Sequence, residues 1–219
     1  MTILDGPRVA AKSGEAKSLV ILLHGYGADG NDLIGLAGPL GGALSDSDFV
    51  SPNAPEPCRM SPMGRQWFPI SYLDGSTEEE MRAGMERAVV ALDAFVDAEI
   101  ERSGLPADKI ALMGFSQGTM MSLHVGPRRA EQLAGIVGFS GRLLEPERLA
   151  TDIRTKPPVL LIHGTADPVV PFESMASAEQ GLGEAGVAVE TMARPGLGHG
   201  IDERGMVAAA QFLMPRLAV

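Results

Sequence analysis

The stretch Ile110-Ala111-Leu112-Met113-Gly114-Phe115-Ser116-Gln117-Gly118-Thr119-Met120-Met121-Ser122-Leu123-His124-Val125 decides the fold. Its opening apolar run suits a strand buried on both faces, and the segment after the serine has the look of a packed helix. In a Gly-x-Ser-x-Gly turn between such elements the serine takes a strained backbone conformation that leaves its hydroxyl exposed. Side chains two residues to either side would collide as the chain turns back, so those positions call for glycine. Ser116 is therefore a candidate nucleophile. The competing reading is an ordinary turn serine, because 27 glycines among 219 residues will place some around a serine by chance. Partners elsewhere in the chain have to decide.

Short apolar runs recur at 19–23, 110–113, 133–139 and 159–162, each followed by glycine and a longer amphipathic segment. This alternation predicts an α/β fold with a mostly parallel central sheet and helices on both faces. The clearest helix is expected over 77–103, where Thr77 and Glu80 form a capping-box pair and Gly104 and Pro106 supply the stop. Further helices are expected over 32–44, 117–125, 147–153, 172–185 and 203–217, and a further strand over 187–192. Met81 and Met85 fall at core spacing on the long helix, with an apolar binding groove as the alternative. No linker or internal repeat stands out, so residues 1–219 are read as one domain. The proline-rich stretch 52–76 holds Trp67, Phe68 and Tyr72. It is either a wall of a substrate pocket or a loop packed on its own aromatics.

Composition narrows the function classes. The chain is 45% hydrophobic with a net charge of −10. That balance argues against nucleic acid or an anionic membrane surface as the main partner. The single cysteine, Cys58, excludes an intramolecular disulfide and a cysteine metal cluster; it reads as a loop thiol in a reducing compartment. No run approaches a membrane span and no targeting segment opens the chain, so a soluble, cytoplasmic protein without stable membrane insertion is expected.

A serine hydroxyl needs a general base in reach and a third group to orient that base. With this type of turn the expected chain order is nucleophile, acid, histidine. After the run 159–162 comes His163-Gly164-Thr165-Ala166-Asp167-Pro168-Val169-Val170-Pro171, which puts Asp167 in a proline-stiffened loop at a strand's carboxyl end. An aspartate before proline is also a common turn residue. His199 follows in Arg194-Pro195-Gly196-Leu197-Gly198-His199-Gly200. Of the four histidines it alone comes after both Ser116 and Asp167; His24, His124 and His163 suit turn bonding or packing. An oxyanion requires preset N–H donors. The backbone amide of Gln117, at a helix start, and that of Tyr26, in the glycine-rich loop His24-Gly25-Tyr26-Gly27-Ala28-Asp29-Gly30, are the candidates.

Taken together, the 23–30 loop, Pro-Asn-Ala-Pro at 52–55, Trp67-Phe68, the pentad at 114–118, Phe-Ser-Gly at 139–141, the 163–171 segment and Gly-x-Gly-His at 196–199 resemble the carboxylesterase and acyl-protein thioesterase family. The resemblance implies an α/β-hydrolase fold without a large lid domain. It also implies a triad of Ser116, Asp167 and His199, with Tyr26 and Gln117 amides as the oxyanion hole. Many members carry leucine where this chain has Tyr26. Trp67 falls where the family has an aromatic lining the acyl site, and is expected to contact substrate. Family members need no metal or organic cofactor, and several form homodimers.

The activity expected is hydrolysis of small carboxylic esters through an acyl-enzyme, falling in acid as His199 protonates. Thioester or lysophospholipid substrates are the enzymatic alternative, and a non-catalytic binding protein built on the same fold is the alternative from another class.

Overall fold

Alternation within β-strands sets the two faces of the sheet, and the amphipathic helices between strands cover them. In the computed structural model, which describes residues 3–218, the order begins β1 (Arg8–Val9), β2 (Ser18–Leu23), α1 (Gly30–Ile34), α2 (Ala37–Leu40) and β3 (Ser47–Val50). A small hairpin, β4 (Glu56–Pro57) and β5 (Arg65–Gln66), precedes α3 (Ser71–Asp74) and α4 (Glu78–Ser103). Then come β6 (Ile110–Phe115), α5 (Gln117–Val125), β7 (Gly135–Phe139), α6 (Pro146–Asp152), β8 (Val159–Gly164), α7 (Glu173–Glu184), β9 (Val189–Arg194) and α8 (Glu203–Leu217).

Seven strands form one sheet in the order β1-β3-β2-β6-β7-β8-β9. All neighbours are parallel except β1 and β3. Leu19, Ile21 and Leu23 of β2 point to one face, where they join Leu92, Phe95 and Val96 of α4. Val20 and Leu22 point to the other and join Leu33, Leu40, Phe212 and Leu213 of α1, α2 and α8. The sheet is thus buried on both sides, as continuous apolar strands require.

The long helix starts and stops for the expected reasons. Thr77 caps it with a reciprocal bond to Glu80, and Gly104 closes it in the left-handed region at φ 68°. The helix expected over 32–44 is instead two short ones. Gly35 and Gly41 cap α1 and α2, and Pro39 has no N–H to continue a helical ladder. Strands β1 and β3 and the β4–β5 hairpin were not foreseen. Arg8 and Val9 are both exposed, and β3 opens on Ser47 and Asp48, so neither offers a long apolar run.

Candidate active site

Strands β2, β6, β7, β8 and β9 are adjacent and parallel, so the loops that follow β2, β6, β8 and β9 all open at the same, carboxyl end of the sheet. Ser116 joins β6 directly to α5 at φ 53° and ψ −114°, outside the ordinary regions for an L-residue. Its N–H donates to Phe139 O at 2.8 Å. The pentad glycines make the turn possible. A methyl at Gly114 would overlap the Gly118 backbone, and one at Gly118 would overlap the Leu23 carbonyl of β2. The Thr119 hydroxyl lies 2.8 Å from both Gly114 O and Phe139 O and locks the turn from below.

His199 brings its Nε2 to 3.0 Å from Ser116 Oγ, and its Nδ1 to 2.8 Å from Asp167 Oδ2. A carboxylate only accepts, so Nδ1 carries the proton toward Asp167 and Nε2 is left to accept from the serine. The Asp167 side chain is fully buried. Burial alone would raise its pKa. The hydrogen bonds from His199 and from the N–H groups of Val169 and Val170 outweigh this and hold the carboxyl below its usual range. Phe115 packs against the His199 ring with centroids 4.8 Å apart, which limits the imidazole's tilt.

The two backbone amides expected as oxyanion donors both lack an acceptor among the described residues. Gln117 is the first residue of α5, so its N–H has no acceptor within the helix. The Tyr26 N–H donates to no acceptor among the described residues. Its neighbour Gly25 is so close that a Cβ there would stand 3.4 Å from Ser116 Cβ. The Tyr26 hydroxyl donates to Asp74 Oδ2 at 2.9 Å. Burial, with Cys58 and Asp74 beside it, pushes the phenol well above its ordinary pKa, so it stays a neutral donor.

Trp67 is placed differently from the expectation. It is 0% exposed and offers no face to a ligand. Its Nε1–H donates to His24 O at 3.0 Å, and its N–H donates to Gln117 Oε1 at 2.8 Å. The aromatic is therefore packed inside, where it ties the 24–30 loop to Gln117 at the start of α5. The physical reason is that a large ring with one N–H is most stable buried with that donor satisfied. Gln117 Nε2 completes the clamp by donating to Phe68 O at 2.8 Å. This side-chain role of Gln117 left no signal in the sequence.

The remaining histidines fall into supporting positions. His24 Nδ1 lies 2.8 Å from Gly25 O and its Nε2 accepts from Ala54 N–H at 3.0 Å; burial lowers its pKa and keeps it neutral. His163 donates from Nε2 to Val170 O at 3.0 Å and lies 3.3 Å from Asp167 Oδ2, bracing the acid's loop. Spacing alone did not reveal that contact. Cys58 lies in the loop after β4, as expected, and is buried there at 6% exposure. Among the described residues no cluster of three or more His, Cys, Asp or Glu could hold a metal ion, and no helix is long and apolar enough to cross a membrane.

Known proteins resemble the chain over almost its whole length. The phospholipase/carboxylesterase family model matches residues 4–216. Acyl-protein thioesterase 1 of Neurospora crassa is 31% identical over 214 residues, covering 90% of this chain and 86% of that protein. The esterase YpfH of Escherichia coli is 30% identical over 198 residues, covering 90% and 82%. Among solved structures, esterase PE8 superposes with a TM-score of 0.92 at 43% identity, covering 98% of this chain and 100% of that one. SOBER1 of Arabidopsis thaliana gives 0.80 at 28% identity, with 92% and 99% covered. Both the sheet with its helices and the sequence therefore agree that this chain belongs to the phospholipase/carboxylesterase family of α/β hydrolases and is a serine hydrolase acting on ester bonds.

Proposed function

We propose that the protein hydrolyses small carboxylic esters through an acyl-enzyme on Ser116, with His199 as general base and Asp167 as its orienting acid. The observation that carries this reading is the unbroken hydrogen-bond chain from Asp167 through His199 to Ser116, at 2.8 and 3.0 Å. His199 Nε2 takes the serine proton as Oγ attacks the carbonyl carbon, and returns it to the leaving alkoxide. Water then attacks the acyl carbon, giving its proton to His199 and regenerating Ser116. The Tyr26 and Gln117 amides stabilise the oxyanion in both steps.

The 219 residues act as one hydrolase domain in this reading. The net charge of −10 favours a small ester over nucleic acid as partner, and the lone, unpaired Cys58 agrees with a cytoplasmic setting. Ser116→Ala should abolish hydrolysis of p-nitrophenyl acetate and labelling by a fluorophosphonate. Turnover at the parent rate in that variant removes the assignment. An unreactive serine in the parent protein favours a non-catalytic binding module.

Thioester or lysophospholipid substrates form the second reading, supported by the relatives named acyl-protein thioesterase. Rates across a panel of acyl chain lengths, on oxygen esters and thioesters, separate the two.

A further inference from the structure

His199 stands in a loop, residues 195–201, that runs from the end of β9 to the start of α8 and carries Gly196, Gly198 and Gly200. Its imidazole has to meet Asp167 Oδ2 at 2.8 Å and Ser116 Oγ at 3.0 Å at once. Glycine gives a chain the widest conformational freedom, and Gly196 uses it at φ 73°. A Cβ at Gly196 or Gly200 would meet nothing within 4 Å, so neighbours do not wedge these residues in place. Other contacts must hold the loop.

Before His199 they are plain. Gly196 N–H donates to Thr165 Oγ1 at 2.9 Å, and Leu197 O accepts from Ala166 N–H at 3.0 Å, which docks this half on the loop of Asp167. Around and after His199 the chain is bare, because among the described residues the N–H groups of Gly198, His199, Gly200 and Ile201 donate to no acceptor. Ile201 packs against the apolar cluster that includes Ile162 and Phe212. The next polar anchor is Asp202, the N-cap of α8, whose Oδ1 accepts from Gly205 N–H at 2.8 Å. Arg194, the last residue of β9, donates from Nε to both oxygens of Asp202, at 3.1 and 3.0 Å, and from Nη2 to Oδ2 at 2.6 Å. Both side chains are half-buried. One ion pair thus closes the neck of the loop: the residue before it grips the residue after it.

We infer that Arg194 and Asp202 are positioning residues for His199, fixing both ends of its loop so that the imidazole reaches Ser116 and Asp167 together. The guanidinium of Arg194 bonds only to Asp202, so the pair acts through the loop and not on the reacting atoms. A planar fork on a carboxylate sets direction as well as distance, which a chain rich in glycine does not supply for itself. The inference rests on His199 being the general base of the proposed hydrolysis.

The test is steady-state kinetics on p-nitrophenyl acetate, expressed per serine titrated with a fluorophosphonate, so that a plain loss of folded protein drops out. Arg194→Gln should lower kcat about tenfold with KM within about twofold, since a misplaced base slows the chemical step and not binding. Arg194→Lys should recover part of that loss, as it keeps the charge without the fork. Asp202→Asn keeps a cap for α8 and one acceptor for Arg194, and should lower kcat about threefold. The two changes combined should be no slower than Arg194→Gln alone, because both remove one device. The proton on His199 Nδ1, followed by NMR without substrate, should lose intensity in Arg194→Gln. Glu190→Gln breaks the pair of Glu190 and Arg216, which joins the same strand and helix away from the loop at a glutamate 63% exposed, and should leave turnover unchanged. Parent kcat and an unaltered Nδ1 proton in Arg194→Gln, losses that multiply in the combined variant, or an equal loss in Glu190→Gln overturn the inference. His199→Ala at the parent rate removes the general-base reading and the positioning role with it; an inactive His199→Ala beside an unaffected Arg194→Gln removes the positioning role alone.

Discussion

The Tyr26 hydroxyl donates to the Asp74 carboxylate at 2.9 Å, linking the loop after β2 to the short helix α3. Asp74 also accepts from the N–H groups of Ile70 and Ser76, so the tyrosine is anchored to a carboxylate that is itself held. A change that removes only the phenol oxygen should therefore loosen the loop whose Gly25 packs beside Ser116. Tyr26→Phe is expected to lower kcat/KM about fivefold, about 1 kcal/mol, a part of the roughly 1.5–3 kcal/mol that a hydrogen bond to a charged group contributes. Steady-state kinetics on p-nitrophenyl acetate check this, with the fluorophosphonate labelling rate expected to fall in step.

Gln117→Ala keeps the backbone amide at the start of α5 but leaves Trp67 N–H and Phe68 O without their partner. Two buried groups stripped of a hydrogen bond should reduce stability by about 2–4 kcal/mol. Trp67 is the chain's only tryptophan, so its fluorescence during urea unfolding reports the effect at the place where it arises.

Gly114→Ala and Gly118→Ala test the turn itself. Each methyl would meet backbone rather than a flexible side chain, so the structure has no cheap way to make room. Each should lose more than about 4 kcal/mol, the range of severe core defects, and give little folded protein. Circular dichroism and yield of soluble protein are the readouts, and a well-folded Gly118→Ala variant would contradict the geometry.

Acid should act through Glu99. Burial would raise its pKa, but hydrogen bonds from Arg8 and Arg102 outweigh this and hold it below the ordinary value. A carboxyl depressed in the folded state contributes stability above its unfolded pKa, about 4.3, and loses it as pH falls through the folded value. Urea midpoints should therefore drop steeply below about pH 4, and Glu99→Gln should flatten that drop. At neutral pH the same variant is expected to lose about 1–2 kcal/mol, because both arginines stay partly solvated once the glutamate is gone.

The sequence was most legible where one residue type has one physical use. Thr77 and Glu80 announced the start of α4, because a reciprocal cap needs that spacing. The strands β2, β6, β7 and β8 were legible because both faces are buried and their apolar runs are unbroken. The loops holding Ser116, Asp167 and His199 could be found because each follows such a strand or a glycine-rich turn. Legibility failed where burial comes from tertiary neighbours. Trp67 looks the same in sequence whether it lines a pocket or lies under one, and only its bond to His24 O separates the two. The contact of His163 with Asp167, and the amide clamp of Gln117, are side-chain choices made by the assembled sheet and carry no periodic signal. The exposed pair Arg8–Val9 becomes a strand only because β3 is there to receive it.

The interlocked turn at 114–118 constrains how such an enzyme can diverge. Gly114 sits against Gly118, Gly118 against the Leu23 carbonyl, and Thr119 against two carbonyls of β6 and β7, so the Ser116 hydroxyl cannot be re-aimed without shifting three adjacent strands. New ester preferences must then arise in parts that can vary independently of the sheet.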